Sequence, residues 1–218
     1  LAATPKLQVE VLAGVAVAGF VAQLVDGSLG MGYGITSTTV LVAAGLSPTT
    51  ASASVHLAQL GTTAVSGIAH HKCGNVDVPS MTKLAVPGTI GAFLGSTLLS
   101  TLSSTTQKNV GAFLLCGMGV RVLARFVFGK VTSQAKGSTS PPLTFLGPLG
   151  LIGGFVDATG GGGWGPVATS GLLADGRLSP SRAIGTVSAS EFFVTVAAVL
   201  GFLMTLGTQS SGASKEST

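Results

Sequence analysis

Two stretches of the chain repeat an order of residue types suited to holding an anion. They are Asp26-Gly27-Ser28-Leu29-Gly30-Met31-Gly32-Tyr33-Gly34 and, 131 residues later, Asp157-Ala158-Thr159-Gly160-Gly161-Gly162-Gly163-Trp164-Gly165. Each sets an acid, a glycine run and an aromatic between two apolar stretches. Without Cβ atoms, backbone N–H groups can converge on an anion. A helix starting at Gly34 or Gly165 would add its positive end. The chemistry implied is anion binding by a backbone cradle of Gly30, Gly32, Gly34, Gly161, Gly163 and Gly165. Ser28, Thr36, Thr159 and Ser188 offer hydroxyl donors, Gln59 offers an amide, and Tyr33 and Trp164 would shape or gate the pocket. The competing reading is close helix packing by small residues.

The acids divide into two kinds. Asp26 and Asp157 end their apolar runs beside the glycines, where they are best placed to orient each loop by accepting backbone N–H bonds, because a bare carboxylate would repel an anion. Glu191 lies inside an apolar run, follows Ser188 and Ser190, and matches neutral Gln59 in the repeat. Intramembrane acids are costly and point to function. Glu191 therefore reads either as a proton-coupling group or as a carboxylate held by nearby hydroxyls. His56, one turn before Gln59, either lines the same cavity or hydrogen-bonds a neighbouring helix. No phosphate loop, dinucleotide fingerprint or nucleophile–base set appears. His70-His71-Lys72-Cys73 has poor chelating spacing. Neither an enzyme, a cofactor nor a metal centre is expected.

The elements that must position these residues are apolar. The chain has 218 residues, of which 46% are hydrophobic and 8% charged, with mean hydropathy +0.65. A soluble domain carries roughly 25% charged residues, so this composition implies an all-α, multi-pass membrane bundle, placed in the cell membrane. The net charge of +4 is too small and dispersed for nucleic acid and suits loops facing anionic lipid. Apolar segments run near 9–25, 34–45, 51–69, 84–103, 109–128, 143–157, 164–174 and 183–206. Crossing the hydrocarbon core takes about 20 residues, so 51–69, 84–103, 109–128 and 183–206 qualify on length. Segments beside the glycines are short, as in broken helices whose loops lie within the membrane.

Aligning Asp26 with Asp157 also matches Thr38 with Thr169, and Leu46-Ser47-Pro48 with Leu178-Ser179-Pro180 after one inserted residue. The reading is a first transmembrane repeat at 1–131, a linker at 132–142, an incomplete second repeat at 143–206 and a polar, disordered tail at 207–218. With one crossing per segment, Lys72, Lys83, Arg121, Arg125, Lys130, Lys136, Arg177 and Arg182 share one side, and Lys6, Lys108 and Lys215 the other. The richer side is expected to be cytoplasmic. Five crossings in the first repeat would invert the second, the topology of alternating access. The chain starts at Leu1 rather than Met, which suggests a larger precursor or an excised fragment. Two helices of the second repeat are missing, or a partner or second copy supplies them. A truncated, non-transporting interaction protein and a passive anion channel are the alternatives to a transporter.

Gly30-Met31-Gly32-Tyr33-Gly34, Leu46-Ser47-Pro48, Ala51-Ser52-Ala53-Ser54, His70-x-x-x-Gly74-Asn75-Val76-Asp77 and Gly91-Ala92-Phe93-Leu94-Gly95 together resemble the TauE/SafE sulfite exporter (TSUP) family, over essentially residues 9–206. That resemblance implies a two-repeat permease moving a small sulfur oxyanion or organosulfonate, such as sulfite, a sulfonate or sulfoacetate. The sequence departs from the family pattern in having no second Gly-Asn-Val-Asp turn.

Overall fold

The computed structural model describes residues 17, 19–24, 26–128 and 139–215, and among them there is no β-strand. Most of the expected linker, and Lys6, Lys130 and Lys136, lie outside the described residues. After helical residues 19–24 and 26–29 come α1 (Tyr33–Ala43), α2 (Pro48–Lys72), α3 (Val78–Thr101) and α4 (Ser104–Phe128). Then follow α5 (Leu143–Gly160), a π-helical turn (Gly165–Thr169), α6 (Ser170–Asp175) and α7 (Pro180–Lys215).

Local chemistry explains where these helices start and stop. Ser47 accepts the Thr50 N–H at 3.1 Å, and Pro48 follows in the first turn, where its missing N–H costs nothing. Asp77 caps α3 in the same way through the Ser80 amide. Left-handed Gly161 and Gly176 end α5 and α6. The basic run His70-His71-Lys72 forms the last turn of α2, where cations complement the helix dipole.

Among the described residues, three helices are long and apolar enough to cross a membrane: Val78–Thr101, Leu143–Gly160 and Pro180–Thr205. This differs from the sequence expectation in two respects. Segment 143–157, expected to be too short alone, extends through its aspartate and glycines to Gly160. Segment 51–69 lies in the 25-residue helix α2 but falls short on hydropathy, because it carries His56, Gln59 and several hydroxyls, while segment 109–128 forms most of the 25-residue helix α4. The expected polar tail is also helical through Lys215, since no proline separates it from α7 and propagation is cheap once a helix exists.

Glycine sets the packing of α3 on α5. A Cβ on Gly91 or Gly154 would strike the carbonyl of Leu151 or Gly88, and one on Gly95 would sit 2.6 Å from the Phe155 carbonyl oxygen. Only hydrogen at these positions permits backbone-to-backbone contact, which replaces the hydrophobic drive that lipid cannot supply. The opposite face of α3 presents Val86, Ile90, Leu94 and Leu98 outward at four-residue spacing, as a lipid-facing stripe requires.

Helices α2 and α7 run antiparallel. As the α2 side advances from Gln59 through Gly67 to Asn75 beyond its end, the α7 partner retreats from Glu191 through Ala189 to Gly185. Trp164, Leu84, Leu146, Leu172, Val194 and Phe202 fill the centre between α3, α5 and α7.

Candidate anion site at the glycine seam

Each glycine loop is built by its own aspartate. The carboxylate of Asp26 accepts the Tyr33 N–H at 3.0 Å, and that of Asp157 accepts the Trp164 N–H at 3.0 Å, seven residues on in both cases. The Asp26 carbonyl accepts from Gly30 N–H, and the Asp157 carbonyl from Gly161 N–H. Gly30 and Gly161 then turn with φ of 67° and 72°, a left-handed conformation that glycine adopts without steric cost. The aspartates thus orient the loops, as the sequence suggested.

The two loops lie against each other, and their contacts are reciprocal. Thr38 donates to the Gly161 carbonyl at 2.5 Å, and its repeat counterpart Thr169 donates to the Gly30 carbonyl at 2.8 Å. A Cβ on Gly34 would lie 2.5 Å from Gly162 Cα. One on its counterpart Gly165 would lie 2.7 Å from Met31 Cα, the position matched to Gly162. The seam is therefore a four-way backbone contact that tolerates no side chain at either glycine. Among the described residues, the amides of Gly32, Gly34, Gly163 and Gly165 make no hydrogen bond within the chain.

A buried polar cluster lies behind the seam. The ring of His56, fully buried, donates from Nδ1 to the Ser52 carbonyl at 2.8 Å and sets Nε2 3.1 Å from Asp157 Oδ2. Ser52 donates in turn to the Ala158 carbonyl at 2.7 Å. Gln59 Nε2 donates to Glu191 Oε1 at 3.4 Å, so the matched residues of the two repeats meet each other. Asp26 and Asp157 both lie within electrostatic reach of Glu191.

Of the other expected site residues, Thr159 is buried beside the second loop and bonds the Phe155 carbonyl, and Ser188 is buried on α7. Ser28 is exposed. Exposed Thr36 donates to the Gly32 and Tyr33 carbonyls at 2.7 and 3.0 Å, which ties its hydroxyl to α1. Trp164 is fully buried and donates from Nε1 to the Val187 carbonyl at 3.2 Å, whereas Tyr33 is only half-buried.

The α2–α3 turn closes the far end of the bundle. Asp77 accepts from Ser80 and Ser140 hydroxyls at 2.6 Å each and from Arg182 at 2.9 Å, while its own N–H donates to Thr186 at 2.9 Å. Burial alone would push the Asp77 carboxyl up, but the hydroxyls of Ser140 and Ser80, the Ser80 amide and the Arg182 guanidinium hold it below its usual range. Lys72 and Arg182 gather at this end, and Lys108 lies at the other end of α3.

A family model described as "Sulfite exporter TauE/SafE" matches residues 15–213. The chain belongs to the TauE/SafE family. It is 50% identical over 189 residues to the "Probable membrane transporter protein YtnM" of Bacillus subtilis (strain 168), a match covering 87% of this chain and 63% of that protein. The chain therefore spans less than two thirds of that relative's length. No solved structure matches it. Family membership and the three apolar helices make this an integral membrane protein.

In this TauE/SafE chain, sequence reasoning matched Gln59 with Glu191 in the repeat and left His56 either lining the same cavity or bonding a neighbouring helix, and it missed three features. It matched Thr38 with Thr169 without giving them the seam bonds, although two hydroxyls kept at equivalent positions were a usable signal. It did not pair His56 with Asp157, 101 residues away, nor Asp77 with Arg182, 105 residues away, and nothing local to those residues indicates their partners.

Proposed function

We propose that this chain carries the central machinery of a secondary-active transporter that moves a small sulfur-containing anion, of the sulfite, sulfonate or sulfoacetate type, by alternating access. The observation that carries the proposal is the reciprocal pair of bonds from Thr38 to Gly161 and from Thr169 to Gly30. Reciprocity of this kind is what two repeats related by a two-fold axis would produce. The antiparallel course of α2 and α7, whose sequences match, supports an inverted relation between the repeats.

The amides of Gly32, Gly34, Gly163 and Gly165 are the donors offered to the oxyanion, assisted by the start of α1 and of the π-helical turn. Parting of the seam would expose one set and then the other. Glu191 and His56 are the proposed coupling groups. Three acids and a histidine share a low-dielectric interior, where like charges repel strongly, so a proton taken up or released there changes the energy of the whole cluster. Asp157 links that proton to the anion site, because one oxygen faces His56 and the other holds the second loop.

Radiolabelled sulfite flux into proteoliposomes, with and without a pH gradient, tests the proposal. Gradient-driven accumulation is expected for the native chain. Glu191→Gln is expected to keep sulfite exchange and lose accumulation, because the amide keeps the shape and cannot titrate. Flux indifferent to the gradient would identify a passive channel, and no flux from a folded, reconstituted chain would defeat transport by this chain.

A further inference from the structure

A cavity of about 320 Å³ opens between α1, the α1–α2 turn, α4 and the C-terminal end of α5, lined among others by Thr38, Pro48, Lys108, Gly111, Thr159 and Gly160. Its inner wall is the seam itself. Thr159 and Gly160 immediately precede Gly161, and Thr38 is the residue whose hydroxyl crosses to the Gly161 carbonyl. Among the described residues, Lys108, exposed in the first turns of α4, is the one charged residue of the lining. Among the described residues Lys108 forms no ion pair, and no carboxylate lines the cavity to cancel its charge. The volume equals roughly ten water molecules, enough for a small oxyanion that keeps part of its hydration shell. The cavity lies at the Pro48 end of α2, while the Lys72 end is closed by the Asp77, Ser140 and Arg182 cluster.

We propose that this cavity is the entry vestibule through which the transported oxyanion reaches the glycine seam, and that Lys108 draws and selects its negative charge. The proposal rests on the reading of the seam as the anion site. An isolated cation at the mouth of a low-dielectric cleft raises the local concentration of small anions and repels cations. The remaining walls, from Val42, Leu46 and Leu115, offer no donors, so they would let an anion pass without trapping it.

The test uses the full chain with Cys73 and Cys116, both exposed, replaced by serine and Ala112, on the cavity lining, replaced by cysteine. It is reconstituted in vesicles of phosphatidylcholine alone. With Lys108 present, an anionic methanethiosulfonate should label Ala112→Cys faster than a cationic one, and sulfite should slow that labelling. Lys108→Gln should cut the anionic reagent's advantage by on the order of fivefold, the scale of one unit charge a few ångströms away in a wet site. Lys108→Arg should restore it, and added salt should erode it. Equal labelling by the two reagents with Lys108 present, or no change in Lys108→Gln, would overturn the proposal. Protection by phosphatidylglycerol mixed into the vesicles, but not by sulfite, would assign the cavity to lipid phosphate and overturn it too. Labelling is read without transport, so a vestibule that selects anions in a chain showing no flux would separate failure of the transport reading from failure of this one.

Discussion

The two glycine loops share a hydrogen-bond skeleton but differ in how firmly the rest of the molecule holds them. In the first, Asp26 serves the Tyr33 amide, and the loop is only partly covered, with Gly32 and Tyr33 half-buried. In the second, Asp157 serves both Trp164 and His56, the indole is tied to α7, and every residue from Gly160 to Gly165 is buried. The same local sequence logic thus gives one loop set into the core and one resting on it. Were the seam to part as proposed, the first loop would move more readily, since the second cannot shift without disturbing the buried His56 pair and the tryptophan.

Substitutions that separate the loops should have the largest effect. A Cβ on Gly162 would overlap the backbone of Gly34 and Ile35, and φ there is 157°. Gly162→Ala is expected to lose about 3–5 kcal/mol of stability, measured as unfolding free energy in mild detergent. Gly32 has φ of 129° but open space around it, so Gly32→Ala should lose only about 1–2 kcal/mol. Equal losses would erase the distinction between the held loop and the resting one.

Next come the aspartates. Asp157→Asn disturbs a buried pair and a loop anchor together and should cost about 2–4 kcal/mol, against about 1 kcal/mol for Asp26→Asn, which weakens a loop anchor. A reversed order in the same unfolding measurement would place the rigid anchor in the first repeat. Thr38→Val and Thr169→Val remove the reciprocal bonds and should each cost about 1 kcal/mol. A loss confined to one of them would break the equivalence of the two halves at the seam.

The smallest effect belongs to Asp77. Its carboxyl is held below the usual value near 3.8, so its contribution to stability is complete above that value and disappears as pH falls through the lower folded value. Acid titration of unfolding should show this loss in the native chain and not in Asp77→Asn. An identical acid limb in both would remove Asp77 from the account of that end.

Much of this arrangement is legible in the sequence where chemistry repeats. An acid followed by glycines and an aromatic, twice, anticipates the two aspartate-anchored loops, and Leu-Ser-Pro, twice, anticipates two helix starts. The rest depends on what each helix meets. The glycines of α3 announce a close neighbour but do not name α5, because a four-residue spacing of small residues suits any helix with a complementary ridge. Hydropathy judged α2 and α5 by composition, yet the polar residues of α2 face the protein interior and the glycines of α5 extend it. The His56–Asp157 and Asp77–Arg182 pairs form only once the repeats are brought together, so no window of sequence contains them.

The glycine contact between α3 and α5 also fixes an order of assembly during synthesis. Gly91 and its partner Leu151 stand about 60 residues apart, which a ribosome covers in roughly 3–12 s at usual elongation rates. Throughout that interval α3 has emerged with a bare groove where its neighbour's backbone will lie, and lipid chains or another helix must occupy it. The core of the bundle can therefore close only after the second loop's own helix has arrived, and the first repeat waits, partly assembled, for the strand of chain that completes it.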